Sequence, residues 1–450
     1  MPDPTPKNSP PPAARPAMSG SWLAAQGRLP LAFMGLGLIW LVAATALLGW
    51  APESLALPHA HPHVVALTHA WVLGVFVTVA CGAVYQLAPV ALGTTLASER
   101  YGWWHLGLHA FGVPGMVWSF WCWDLKELGH FGFATALGIL LFAVNTWRTV
   151  RRSGRRGAVA WSLLLAAGWL LVTVLLGLLL AANRWWNFIP IDPVALLRAH
   201  AHVGLAGFFL TLLQGVGFQL VPMFTLGEVR DWRLANTGLW LSQGGLLVLA
   251  PALAWHLGLL AQVAAVSITA GMVCSGVGLA RALASRKKRA LDPGLKTFLR
   301  GGACLIASAV VGVAVLLGEG DGSQPGGLRG MFYAVLIIFG GLLPCFAGMM
   351  CKIVPFLTWM RAYGPRVGRG PTPSASTLAN ARLERWGLAL LGLATIPLLV
   401  GVWTLQPLWL RAGVWLLAVG VALFVADMLI VLRHLWLAAA AKPVEVKSSP

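Results

Sequence analysis

Long apolar runs separated by short polar segments dominate this chain of 450 residues, of which 58% are hydrophobic and 10% charged. About twelve runs are long enough to cross a bilayer as helices, since roughly 20 apolar residues span its hydrocarbon layer. They cover residues 29–50, 64–93, 101–123, 125–147, 158–182, 194–224, 236–256, 258–284, 298–318, 330–359, 385–405 and 408–437. Because backbone polar groups in lipid must be satisfied internally, the pattern predicts an all-α polytopic membrane protein.

One segment recurs at a constant spacing of 133 residues. Its fullest copy, residues 199–224, reads AHAHVGLAGFFLTLLQGVGFQLVPMF. The aligned positions are His69, Gly74, Gly82, Gln86 and Pro89, then His202, Gly207, Gly215, Gln219 and Pro222, then Val335, Gly340, Gly348, Lys352 and Pro355. These copies fall on predicted spans 2, 6 and 10. The chain therefore reads as three repeats of four helices, centred on residues 64–93, 194–224 and 330–359.

The remaining segments and the charge predict how the chain lies in the membrane. Residues 1–28 are rich in proline and polar residues and predict a disordered tail, residues 29–438 the transmembrane domain, and residues 439–450 a flexible tail. The net charge is +18, but its arginine and lysine clusters follow even-numbered spans. This distribution predicts both termini in the cytoplasm and a bacterial-type inner membrane. The charge therefore indicates a lipid bilayer as partner and no nucleic acid.

Three histidines lie within the repeated segments of spans 2 and 6. His69 is on span 2, while His200 and His202 are in the first turn of the segment 199–224 on span 6. A polar ring in the hydrocarbon layer is costly without a partner, which makes such histidines functional candidates. His69 and His202 occupy equivalent repeat positions, and we expect them to ligate one b-type haem. Hydrogen bonds between helices are the alternative explanation. His200 points about 200° away from His202 and is a candidate ligand of a second haem or a metal.

Five further histidines form two groups. His59, His61 and His63 stand together in PHAHPH before span 2. Neutral imidazole suits copper and zinc, so these three are candidate metal ligands, with an ordinary solvated loop as the alternative. His105 and His109 share one face of span 3 by their spacing of four. They predict packed core histidines rather than a ligand pair.

The segment HAHVGLAGF…GVGFQLVPMF resembles the tenth helix of the haem–copper oxidase catalytic subunit, especially in the cbb3-type and nitric-oxide-reductase branches. The resemblance extends to the layout. Those subunits have twelve helices in three arcs of four, with ligands on helices 2, 6 and 10. It implies the same fold, and it implies haem with copper as a further cofactor.

The sequence departs from that family where copper would be bound. The resemblance requires a histidine pair on helix 7, but span 7 reads LWLSQGGLLVLAPALAWHL and contains only His256. The H-x-H stands on span 6, and span 10 has no histidine. These departures favour a divergent member that does not reduce oxygen, similar in kind to the NnrS-type proteins.

Two functional hypotheses follow. The first is a haem-binding relative of oxidase subunit I that transfers electrons, or binds or responds to nitric oxide or another diatomic gas. A c-type cytochrome or a quinol would then be its electron donor. The alternative is a membrane protein of copper transport or metal-site assembly, which would use His59, His61 and His63. The sequence predicts no catalytic residue.

Overall fold

The computed structural model describes residues 27–318, 328–368 and 370–440. Within them the chain forms twelve long helices, which follow the predicted runs to within a few residues. They are α1 Arg28–Trp50, α2 Pro62–Leu92, α3 Glu99–Cys122, α4 Leu125–Ser153, α5 Ala158–Trp186, α6 Pro193–Thr225, α7 Arg233–Ala254, α8 Gly258–Ala284, α9 Pro293–Leu317, α10 Leu328–Ala362, α11 Ala381–Thr404 and α12 Pro407–Leu432. All except α3 are both long and apolar enough to cross a membrane. The predicted tails lie outside the described residues, apart from a few residues at their helix-proximal ends.

Among the twelve helices, α2, α6 and α10 are central and the other nine lie around them. Each helix packs against the next in sequence, and α12 packs against α1. In the most apolar stretch of each central helix, 83% of the residues are buried for α2, 67% for α6 and 78% for α10. In the other candidate spans the buried share is at most 56%. These three helices meet through Phe76, Phe209 and Phe346, whose ring centroids are 5.3–6.2 Å apart. The predicted all-α membrane fold is confirmed.

The repeated glycines allow close helix packing. A Cβ atom at Gly207 on α6 would lie 2.8 Å from the Trp169 side chain on α5. At Gly340 on α10 it would lie 2.8 Å from the Cys304 sulfur on α9. Such distances are too short for real contacts, so a larger residue would separate these helix pairs. Helix packing thus accounts for the glycine part of the repeat.

Each central helix contains a π-helical segment at the same repeat position. These segments are Ala70–Val77, Val203–Leu210 and Leu336–Leu342. Their first residues are 133 apart, and each directly follows His69, His202 or Val335. Stretches of π-helix within α-helices occur frequently at functional sites. The local structure therefore marks the same three positions as the sequence repeat.

Two equivalent threonines stabilise the first two π-helical segments. The Thr78 hydroxyl donates to the carbonyl of Leu73 at 3.0 Å, and Thr211 makes the equivalent bond at 3.1 Å. Each hydroxyl also bonds to a side chain of the following helix. His109 Nε2 lies 2.8 Å from the Thr78 oxygen, and Gln243 Nε2 donates to Thr211 at 2.7 Å. The π-helical segments are thereby tied to α3 and α7.

Candidate functional site

Two cavities lie at the end of the bundle where α2, α6 and α10 begin. The larger has a volume of about 340 Å³, and its walls include residues of α7, α8 and α9 besides the three central helices. The smaller has a volume of about 100 Å³ and lies among α2, α3, α4, α5 and α6. Cofactor pockets usually measure roughly 300–1,000 Å³. His69 and His200 line both cavities, and His202 lines the larger one.

His69 on α2 faces His200 on α6. Their ring centroids are 6.3 Å apart and their planes differ by 23°. When two imidazoles bind one metal ion, the distance between their ring centres is about 6 Å. This distance is the sum of two metal–nitrogen bonds of about 2.0 Å and the two distances from a nitrogen to its ring centre. The centroid distance is therefore close to that expected for two imidazoles sharing one metal ion, and the rings themselves lie nearly parallel, as in a stacked pair.

Hydrogen bonds to the backbone fix the tautomers of two histidines. His69 Nδ1 donates to the carbonyl of Val65 and His202 Nδ1 to that of Arg198, both at 2.8 Å. Since a carbonyl only accepts, the proton lies on Nδ1 and the lone pair on Nε2 is left for a ligand bond. This is the arrangement in which a histidine usually binds a metal.

The His200 ring lies in space left by a glycine. A Cβ atom at Gly177 on α5 would be 3.1 Å from its Cε1 atom. His200 Nδ1 is buried and has no hydrogen-bond partner in the described parts of the chain. A buried polar nitrogen without a partner is costly. A bound group would remove that cost.

The ring next to His69 is that of His200, whereas the sequence analysis paired His69 with His202. His202 faces Tyr333 on α10, with ring centroids 6.0 Å apart and planes 16° from parallel. The three central helices have a threefold arrangement, and a residue at a given repeat position faces the next central helix. His69 on α2 and His202 on α6 therefore point into different gaps between the helices. Sequence reasoning missed Tyr333. The repeat could have identified it, because it lies 133 residues after His200.

The three histidines around the start of α2 do not form a three-ligand metal site, although the rings of His61 and His63 lie 5.0 Å apart. Within residues 27–318, 328–368 and 370–440, no group of three or more His, Cys, Asp or Glu side chains is arranged to hold a metal ion. His61 is instead the N-cap of α2, where its Nδ1 accepts from the backbone nitrogen of His63. The His63 ring stacks on Trp121 at 4.1 Å, and His59 lines the larger cavity.

His105 and His109 are fully buried in the helix bundle. Tyr85 bonds to Nδ1 of His105 at 3.0 Å, and Thr78 bonds to Nε2 of His109. Both rings thus pack between α2 and α3, as expected of core histidines.

Two arginines bring positive charge to the candidate site. Arg198 lines the larger cavity and Arg184 the smaller one. Arginine is well suited to paired hydrogen bonds with the carboxylate of a bound ligand. Asp192 lies at the N-terminus of α6 and caps it by accepting from the backbone nitrogens of Val194 and Ala195.

These features define a multi-pass membrane protein with histidines around cavities at one end of its central helices. Its fold is similar to that of a haem–copper terminal oxidase solved as a dimer by cryo-electron microscopy. The TM-score is 0.61 at 12% sequence identity, over 94% of this chain and 84% of that one. At this identity the likeness establishes a shared fold. The chain matches no family model and no curated protein.

Proposed function

We propose that this chain is a haem-binding membrane protein in which His69 and His200 hold one b-type haem. The observation that carries the proposal is the facing of their rings at a separation suited to bis-imidazole ligation. The proton on Nδ1 of His69 also supports the proposal, because the lone pair on Nε2 is then available to the iron. Two histidines are a common set of axial ligands for an electron-transferring haem.

The surroundings of the two rings also suit haem. Both rings line both cavities, and phenylalanine and leucine side chains contribute to the walls of each. Arg184, which is exposed at the smaller cavity, and Arg198, which lines the larger one, would pair with the two carboxylates of the macrocycle, since arginine forms paired hydrogen bonds with carboxylates. The residues present therefore fit the cofactor that the oxidase fold implies.

We further propose that the protein transfers electrons, or binds or responds to a diatomic gas such as nitric oxide, without reducing oxygen. Bound haem would supply reversible one-electron chemistry. The chain's own side chains argue against the copper-assisted reaction. Gln243 on α7 bonds to Trp169 and Thr211, while His256 lies beyond the end of α7 and pairs with Asp192 at 3.4 Å. Neither supplies the imidazole pair of a copper site beside the haem.

The membrane orientation and the partners belong to the same proposal. The arginine clusters after even-numbered helices favour a bacterial-type inner membrane with cytoplasmic termini. His69 and His200 then lie near the outer side, where a c-type cytochrome or a quinol would donate electrons. The H-x-H segment favours a place among divergent NnrS-like members of the oxidase superfamily.

The test is the reduced-minus-oxidised visible spectrum of the purified protein beside His69→Ala and His200→Ala. We expect a low-spin b-type signal that both substitutions abolish. His130→Ala is the matched control, because that side chain is 69% exposed. Colourless, well-folded protein from cells grown with ample haem would refute the proposal. So would a signal that persists unchanged in His200→Ala.

A further inference from the structure

Arginines are concentrated where α4 ends, at the end of the bundle opposite to the proposed haem site. Arg148, Arg151 and Arg152 lie in the last turns of α4, and Arg155 follows two residues after its end. All four side chains are exposed. Within the described residues, none of the four forms an ion pair with a carboxylate. Their positive charge is therefore available to a partner from outside the chain.

Two of these arginines reach across to the segment that joins α2 to α3. Arg148 Nη1 donates to the Tyr101 hydroxyl at 3.4 Å, and its guanidinium carbon lies 5.8 Å from the centre of the Tyr101 ring. Arg152 Nη1 donates to the carbonyl of Ala97 at 3.1 Å. The two guanidinium groups thus stand one after the other along this segment.

The other two arginines also lie against neighbouring groups. Arg155 continues the row to the end of α2, where a Cβ atom at Gly93 would lie 3.6 Å from its Nη2 atom. The guanidinium carbon of Arg151 lies 4.8 Å from the centre of the Trp147 ring. An aromatic ring attracts a guanidinium group without neutralising its charge. The arginines are therefore positioned by the fold and still carry their full charge.

Two buried polar side chains of α4 fasten the segment that the arginines contact. Asn145 Oδ1 accepts from the backbone nitrogen of Ser98 at 2.9 Å, and Asn145 Nδ2 donates to the Ser98 carbonyl at 2.8 Å. The Thr149 hydroxyl accepts from the backbone nitrogen of Ala97 at 3.0 Å. Both side chains are fully buried. The segment is thus fixed relative to α4, so a ligand that binds beside it has little backbone to order.

The arginines lie at the level where α4 leaves the hydrocarbon layer. This helix has 29 residues. It is therefore about 44 Å long, whereas the hydrocarbon layer is about 30 Å thick. Close to Tyr101 and Arg148 along the chain, the side chains of Trp103, Trp104 and Trp147 are exposed. Tryptophan and tyrosine are enriched at the boundary between lipid and water. The guanidinium groups therefore stand at the level of the lipid phosphates.

A second basic cluster at the same end of the bundle lacks these features. Residues 286–289 follow the end of α8 and are all arginine or lysine. Arg286 Nη1 donates to the carbonyl of Leu283 in the preceding helix, and Lys288 pairs with Asp292 at 3.8 Å. In the described parts of the chain, no side chain of this cluster lies over an aromatic ring. The two clusters thus have similar charge but different structure.

We propose that the arginines at the end of α4 bind the headgroup of an anionic phospholipid, with Arg148, Arg152 and Arg155 around its phosphate. Guanidinium groups form paired, charge-assisted hydrogen bonds with phosphate. Clusters of arginine directly beside a membrane-spanning helix attract anionic lipids. The proposal involves no haem ligand, so it holds or fails separately from the proposed function.

The test is the binding of fluorescently labelled phosphatidylglycerol and phosphatidylcholine to the purified protein in detergent. We expect the wild-type protein to bind the anionic lipid about tenfold more tightly than the zwitterionic one. The triple variant Arg148→Gln, Arg152→Gln and Arg155→Gln should lose most of this preference, because no guanidinium group then meets the phosphate. The preference is a ratio measured on one protein, so a general change in stability affects both lipids alike.

The second basic cluster provides the matched control. The triple variant Arg286→Gln, Lys287→Gln and Arg289→Gln removes the same charge at the same end of the bundle and should keep the preference. Arg155→Gln alone disturbs the fold least, because Arg155 lies beyond the end of α4. It should lower the affinity for phosphatidylglycerol about fivefold, whereas Arg289→Gln should leave it unchanged.

Three outcomes would overturn the lipid site. Equal loss of preference in the two triple variants would show that the lipid responds to net charge alone. Equal binding of the two lipids by the wild-type protein would show that no anionic headgroup is recognised. Displacement of phosphatidylglycerol by an equal concentration of inorganic phosphate would identify a site for free anions instead.

Discussion

Gly177 of α5 lies directly against the ring of His200, so that a Cβ atom at this glycine would be 3.1 Å from Cε1 of the imidazole. The contact fixes the position from which His200 faces His69. The geometry of the proposed haem site therefore depends on a residue that supplies no ligand.

Gly177→Val should weaken haem binding at the His69–His200 site. Added methyl groups would push the imidazole away, and overpacking of this kind typically costs about 1–3 kcal/mol. We expect the affinity for haem to fall about tenfold or more, measured by haem titration of the apoprotein. Gly168→Val is the matched control, because it lies on the same helix in open space. Equal loss in the two variants would contradict the prediction.

Thr78→Val should destabilise the protein more than Thr45→Val. Both hydroxyls bond to their own helix, but only that of Thr78 also bonds to His109 of another helix. Removing one partner of a buried polar group costs about 1–3 kcal/mol. We expect the larger drop in thermal midpoint for Thr78→Val, measured in detergent at fixed lipid content. Similar midpoints would show that the tie to α3 adds little.

Asp292→Asn should destabilise the end of the bundle where α9 begins. Asp292 pairs with Lys352 at 2.6 Å and also caps α9 by accepting from the backbone nitrogen of Leu295. The Lys352 side chain is only 18% exposed and so does not extend freely into solvent. Asparagine keeps the cap and removes the charge. Loss of such a partly buried pair should cost about 1–2 kcal/mol at neutral pH, measured by thermal unfolding.

The same pair predicts a pH dependence. Burial alone would raise the pKa of Asp292, but the hydrogen bond of Lys352, the backbone hydrogen bond from Leu295 and the charges of Lys352 and Lys288 together hold the pKa below its ordinary value. A carboxyl group whose pKa is lower in the folded than in the unfolded protein stabilises the fold. This contribution is complete above the ordinary pKa of about 4 and is lost as the pH falls through the pKa of the folded protein. Wild-type protein should therefore lose more stability than Asp292→Asn over that acidic range. Parallel curves for the two proteins would refute this assignment.

Replacement of the three histidines around the start of α2 should leave the copper content unchanged. The combined variant His59→Ala, His61→Ser and His63→Ala keeps a side chain that can cap α2. In the described structure the rings of His61 and His63 are in contact, but His61 caps the helix, His63 stacks on Trp121, and the three histidines form no three-ligand metal group. Elemental analysis of protein grown with added copper provides the measurement. A clear loss of copper would instead support the transport hypothesis.

The sequence by itself determined the helices and their grouping. Apolar length and the need for internal backbone hydrogen bonds predicted twelve spans, and the spacing of 133 residues indicated which three are equivalent. The histidines of α2 and α6 were also identified as candidates, because a polar ring in lipid is costly. Each of these conclusions depends only on the order of residues along the chain.

Only the tertiary structure decided which side chains face one another. Two residues in the same turn point to opposite sides, so the rotation of each helix within the ring determines whether His200 or His202 meets His69. That rotation results from contacts with neighbouring helices, such as those at Gly177 and Gly207, which the sequence of one segment does not contain. A tyrosine in an apolar helix is unremarkable until another helix places His202 opposite it.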